Sequence, residues 1–189
     1  MEFNKGYSRN WFFLLLGMMT LQFSAVNAYA IAYCAIREPV SIIQEFFPGY
    51  VSYRTLEGTV DEGVRQEVLE ALPQSHFQEL GTHSLYVVYG EEGISGFVHA
   101  RTEKGIFGLD EIIWIMNPEM TLKTFKYQKN RSGPIPKHEM ENLSATVSGA
   151  GLTELVAARE NDGLNRRDHM IITSGVKALL VTKALWPEL

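Results

Sequence analysis

The stretch His83-Ser84-Leu85-Tyr86-Val87-Val88-Tyr89-Gly90-Glu91-Glu92-Gly93-Ile94-Ser95-Gly96-Phe97-Val98-His99-Ala100-Arg101-Thr102 holds two runs of β-branched and aromatic residues, separated by Gly-Glu-Glu-Gly. Such side chains suit a pleated, half-buried surface, and the paired glycines supply a tight reversal, so the stretch predicts a hairpin of strands 83–89 and 94–102. Working outward, Lys104-Gly105 precedes a third strand, Phe107 to Met116, and Asn117-Pro118-Glu119 turns it into a fourth, Thr121 to Tyr127. Short turns between successive strands predict an antiparallel sheet.

Helical spacing flanks these strands. Glu38-Pro39 opens a short amphipathic piece, Ser41 to Phe47, which Pro48-Gly49 stops. Val60, Val64, Val68 and Leu72 share one face of a helical pattern that ends at Pro73. Beyond the sheet, the polar segment Lys126 to Pro134 reads as an irregular loop, and Lys137 to Leu143 and Leu152 to Arg159 read as short helices. A last helix is expected from Thr173 or Ser174 to Leu185, with that hydroxyl as its N-cap. The fold class is α+β, a mainly antiparallel sheet flanked by helices.

A chain of 189 residues, 46% hydrophobic and 11% aromatic, suits one domain with its own core plus an attachment. A net charge of -5 leaves no footprint for nucleic acid. A single cysteine excludes an internal disulfide framework and any cysteine cluster for zinc or iron–sulfur.

The attachment is legible at the start. From Trp11 to Ile36 no charged residue occurs, with Lys5 and Arg9 before the run and Arg37 and Glu38 after it. At about 1.5 Å per residue such a run crosses a hydrocarbon core of roughly 30 Å. The positive bias before it places the N-terminus in the cytoplasm and the following domain outside. The competing reading is a cleaved signal peptide ending near Ala28-Tyr29-Ala30, which would release a free periplasmic binding module. Along the anchor, Gly17, Thr20, Ser24, Asn27 and Ala28 line one side, small and weakly polar, as a helix facing another helix requires. The expected division is an anchor over 1–36, a juxtamembrane connection over 37–59 and an extracytoplasmic domain over 60–189. The lipid bilayer and other membrane-protein subunits are the expected partners.

Chemistry-bearing patterns are sparse. His76, His83, His99, His138 and His169 stand at no metal-ligand spacing and read as strand or surface residues. Asp110-Glu111 is a carboxylate pair, but neighbouring strand residues point to opposite faces. No serine sits in Gly-x-Ser-x-Gly. Two stretches, Ser144 to Gly151 and Arg166 to Gly175, place small residues before an expected helix, where bare backbone amides and the helix dipole favour a phosphate.

The order of these elements resembles the FMN-binding domain family, which includes the flavin-bearing G subunit of the Rnf complex and C subunit of the sodium-pumping NADH:quinone oxidoreductase. The resemblance rests on the anchor, Arg65-Gln66 with Leu69 and Leu72-Pro73, the hairpin, the Gly133-Pro134 loop, and Thr173-Ser174 with Val176. It implies a periplasmic domain at the bacterial inner membrane, in a membrane-embedded electron-transport complex. It also implies FMN esterified to the threonine ending a Ser-Gly-Ala-Thr sequence. Here Arg167 to Ile171 stand where that sequence belongs, so the attachment threonine is missing. The expectation is therefore a non-catalytic accessory subunit that has lost covalent flavin. The alternative is an FMN-carrying one-electron subunit, with the flavin attached covalently through Thr173 or Thr146, or bound non-covalently with Lys126, Lys129, Arg166 and Arg167 near its phosphate; Ser174 and Gly175 complete the expected cofactor residues. No metal is expected.

Overall fold

The hairpin forms as the sequence predicts. In the computed structural model, which describes residues 35–73 and 81–189, strand β2 (Gly81–Gly90) turns through Glu91-Glu92 into β3 (Gly93–Lys104). Gly93 opens β3 at φ +123°, a region that side chains with a Cβ avoid. Strands β4 (Leu109–Met116) and β5 (Leu122–Lys129) follow, and β1 (Ser52–Val60) lies on the other side of β2. All pairs are antiparallel, in the order β1-β2-β3-β4-β5. Helix α1 (Pro39–Phe46) precedes the sheet, α2 (Glu62–Ala71) links β1 to β2, and α3 (Lys137–Val147), α4 (Leu152–Arg159) and α5 (Arg166–Leu185) close the chain.

Alternation along the strands gives the sheet two buried faces. Leu85, Val87, Phe97, Ile112, Trp114 and Met116 pack with Ile171, Ile172, Val176 and Leu179 of α5. Tyr86, Val88, Val98, Ala100, Ile113 and Ile115 pack instead with Ile36, with Ile42 and Ile43 of α1, and with Phe47. Each fully buried aliphatic side chain contributes about 1.5–3 kcal/mol, so both faces hold the sheet.

Three boundaries differ from the sequence reading. Residues 52–59, read as part of a connection, belong with Val60 to a nine-residue edge strand. Val60, which the spacing placed on α2, ends that strand; Asp61 then caps α2 by accepting from Val64 N at 3.0 Å. Val60 and Val68 nevertheless meet in one apolar cluster with Val181, which is why their spacing imitated a single helix. Strand β5 runs on past Tyr127 through Gln128 and Lys129, read only as loop.

The largest correction concerns the last helix. It spans 20 residues from Arg166, and its N-cap is Asn165, whose side chain accepts from Arg167 N and Asp168 N. Thr173-Ser174-Gly175 therefore lies inside the helix and is not its cap. The β-branched Ile171-Ile172-Thr173 run has modest helix propensity, but both isoleucines are completely buried, and packing outweighs that local preference.

Gly17, Thr20, Ser24, Asn27 and Ala28, with the rest of the expected anchor through Cys34, lie outside the described residues. Among the described residues no helix is long and apolar enough to cross a membrane.

Candidate functional site

Polar side chains interrupt the apolar face beneath α5. His83 and His99 stand 16 positions apart in sequence, yet the hairpin sets them side by side on β2 and β3. His83 Nδ1 is 3.4 Å from His99 Nε2, and the rings meet edge to face. His99 Nδ1 in turn lies 3.0 Å from Thr182 Oγ1 on α5. Burial holds the His83 imidazole down to about 4, with the Arg101 charge adding to it. Burial likewise holds His99 well below the ordinary range, and His83 and Arg101 reinforce the effect.

Beside the histidines lies a buried charge cluster. Glu103 Oε1 accepts from Arg101 Nε at 3.1 Å, and its Oε2 accepts from Lys177 Nζ of α5 at 2.9 Å. Burial opposes the charge on Glu103, but Arg101 and Lys177 outweigh it and keep the carboxyl below its usual range. Further along, Trp114 Nε1 donates to Ser174 Oγ at 3.0 Å. Ser174, Lys177 and Thr182 thus lock α5 to the sheet. No spacing between neighbours in sequence reveals this proximity, because 16 positions separate the two histidines; the hairpin register, with Leu85 opposite His99, is the signal that carries it.

The expected cofactor residues do not converge. Ser174 is used by Trp114, and a Cβ on Gly175 would meet Leu122 at 2.9 Å and Trp114 at 3.1 Å, so that glycine exists for close packing. Arg167 donates to the carbonyls of Ser132 at 2.8 Å and Pro134 at 3.0 Å, fixing the loop after β5. Lys126 pairs with Glu45 of α1 at 2.5 Å, on the opposite face of the sheet from α5. Lys129 stands opposite Glu111 in the β4–β5 register. Thr146 donates back to Asn142 O of its own helix. Thr173 accepts from Arg159 Nε at 3.2 Å, and Arg159 and Arg166 share a cleft of about 780 Å³ with His169, Glu160 and Asp162. These residues do not surround one phosphate, and the helix start expected at Thr173 is not there.

Asp110 and Glu111 face opposite ways, as expected. Asp110 is buried and accepts from Arg131 N, Ser132 N and Ser132 Oγ, while Glu111 meets Arg37 at 2.8 Å. Among the described residues no group of three or more His, Cys, Asp or Glu could hold a metal ion.

Comparison with known proteins finds no matching family model, no matching curated protein and no matching solved structure.

Proposed function

We propose that the chain is a membrane-anchored, non-catalytic accessory subunit of a membrane-embedded complex, with its α+β domain on the outer, periplasmic side of a bacterial inner membrane. The observation that supports this most is how the polar residues of α5 are used. Of the residues expected around a cofactor, Ser174 accepts from Trp114 of the sheet and Arg167 donates to the carbonyls of the loop after β5, so both serve the fold itself, as do Lys177 and Thr182 further along the helix. The uncharged run Trp11–Ile36 supplies the anchor, and its Gly17/Thr20/Ser24 side supplies a surface for a partner helix. The resemblance to FMN-binding domains makes an electron-transport complex the first assembly to test.

Purification of the full chain in mild detergent, with identification of co-eluting proteins and an absorption spectrum, tests the reading. Membrane subunits should co-elute, fewer of them when Gly17 and Ser24 are both replaced by Leu, and no flavin bands should appear. Flavin absorbance surviving acid precipitation would instead establish the FMN-carrier alternative. A mature N-terminus near Ala28 or Ala30, found by mass spectrometry, would replace the anchor with a cleaved signal.

A further inference from the structure

The β3–β4 turn exposes three large apolar side chains within four positions: Ile106 at 40%, Phe107 at 78% and Leu109 at 46%. The turn is rigidly built. Gly105 N donates to Gly108 O at 2.8 Å, and Ile106 N donates to Ser132 Oγ at 2.8 Å. Buried Asp110 gathers the backbone amides of Arg131 and Ser132 and the Ser132 hydroxyl, which ties this turn to the loop after β5. A fixed apolar tip of this kind marks an interaction surface.

Its place in the fold says what it meets. Arg37, the first residue after the uncharged run, is bonded to Glu111 through its guanidinium at 2.8 Å and to Gln128 Oε1 through its backbone amide at 2.9 Å. Gln128 also donates to Ala35 O at 3.1 Å. The chain therefore enters the domain beside Glu111, two positions beyond Leu109 on β4. At about 3.3 Å per extended residue, Phe107 lies within roughly 13 Å of that entry point. The surrounding charge is positive: Lys104 and Arg131 are exposed, Asp110 is buried, and Glu111 is already paired with Arg37. An apolar tip with a basic rim, next to the end of a membrane span, has the chemistry of an interfacial anchor on anionic lipid.

We infer that Ile106, Phe107 and Leu109 insert into the headgroup boundary of the leaflet from which the domain emerges, with Lys104 and Arg131 at the lipid phosphates. The inference rests on the anchored reading above, and adds a second membrane contact that fixes how the domain stands on the bilayer.

The full chain carrying Cys34→Ser and Phe107→Cys, labelled with an environment-sensitive fluorophore, is placed in nanodiscs of anionic and zwitterionic lipid with nitroxide-bearing headgroups. A Glu91→Cys label, on the turn at the opposite end of β3, serves as reference. Emission at position 107 should shift to shorter wavelength and lose most of its intensity to the nitroxide, while position 91 keeps its intensity. Equal, weak quenching at both positions in a retained protein overturns the insertion and leaves the anchor standing. Protection of position 107 from aqueous iodide without nitroxide quenching assigns the tip to a protein partner and also overturns it. Failure of the chain to stay with the nanodisc overturns the anchored reading and the insertion together.

Discussion

The two faces of the sheet are held by different physics. On the α1 face an eight-residue helix covers Ile, Val and Tyr side chains, and its ion pairs, Arg37–Glu111 and Lys126–Glu45, lie at the rim. On the α5 face a 20-residue helix covers an apolar cluster into which histidines and a buried charge cluster are set. Apolar contact alone is non-directional, and a long helix could settle against it in several registers. The bonds from Ser174, Lys177 and Thr182 leave α5 one register, whereas a short helix followed by Phe47 wedged beside Gly96 is fixed by shape.

The sharpest way to break this contrast is Glu103→Gln. It leaves Arg101 and Lys177 facing a neutral amide in the interior, and urea unfolding followed by tryptophan fluorescence should show a loss of about 3–5 kcal/mol. A loss under about 1 kcal/mol would mean that the cluster is better solvated than its burial indicates.

Acid should act on the same face. Both imidazoles titrate lower in the folded chain than in the unfolded one, so the unfolded state takes up protons first as pH falls. Stability should be complete above about pH 6.5 and fall as pH drops towards 4, by about 3 kcal/mol for His83 alone. Denaturation midpoints measured across that window check this, and His99→Gln should flatten the slope.

Gly96→Ala probes the α1 face. Gly96 sits at φ +152°, and a Cβ there would meet Met116 O at 2.3 Å and the Phe47 ring at 2.6 Å. A loss of about 2–3 kcal/mol is expected in the same unfolding assay. The smallest effect belongs to the rim of that face: Glu111→Gln removes an ion pair whose arginine is 62% exposed, and should cost less than about 1 kcal/mol. Similar losses for Glu103→Gln and Glu111→Gln would erase the contrast between the faces.

The sheet was legible because its information is local. Each turn carries its own glycine or Asn-Pro signal, and each strand alternates or runs apolar between them, so the four strands after residue 80 followed from neighbours in sequence. Strand β1 was not legible, since Ser52-Tyr53-Arg54-Thr55 is exposed and polar, as an edge strand is, and resembles a linker. The start of α5 was misplaced because Thr-Ser-Gly has the composition of a cap; its actual setting depends on Trp114, 60 positions away. The buried polar cluster is equally non-local, with Glu103 and Lys177 74 positions apart.

That separation bears on synthesis. The sheet is complete once Lys129 has been made, and α5, starting at Arg166, is the last helix to follow. Domains made in order must survive with part of their core uncovered. Until α5 arrives, the strand surface it will cover shows water not an unbroken apolar field but one crossed by His99, Arg101 and Glu103. The side chains that later fix the helix therefore keep the half-made sheet hydrated, where a wholly aliphatic face would invite a neighbouring nascent chain.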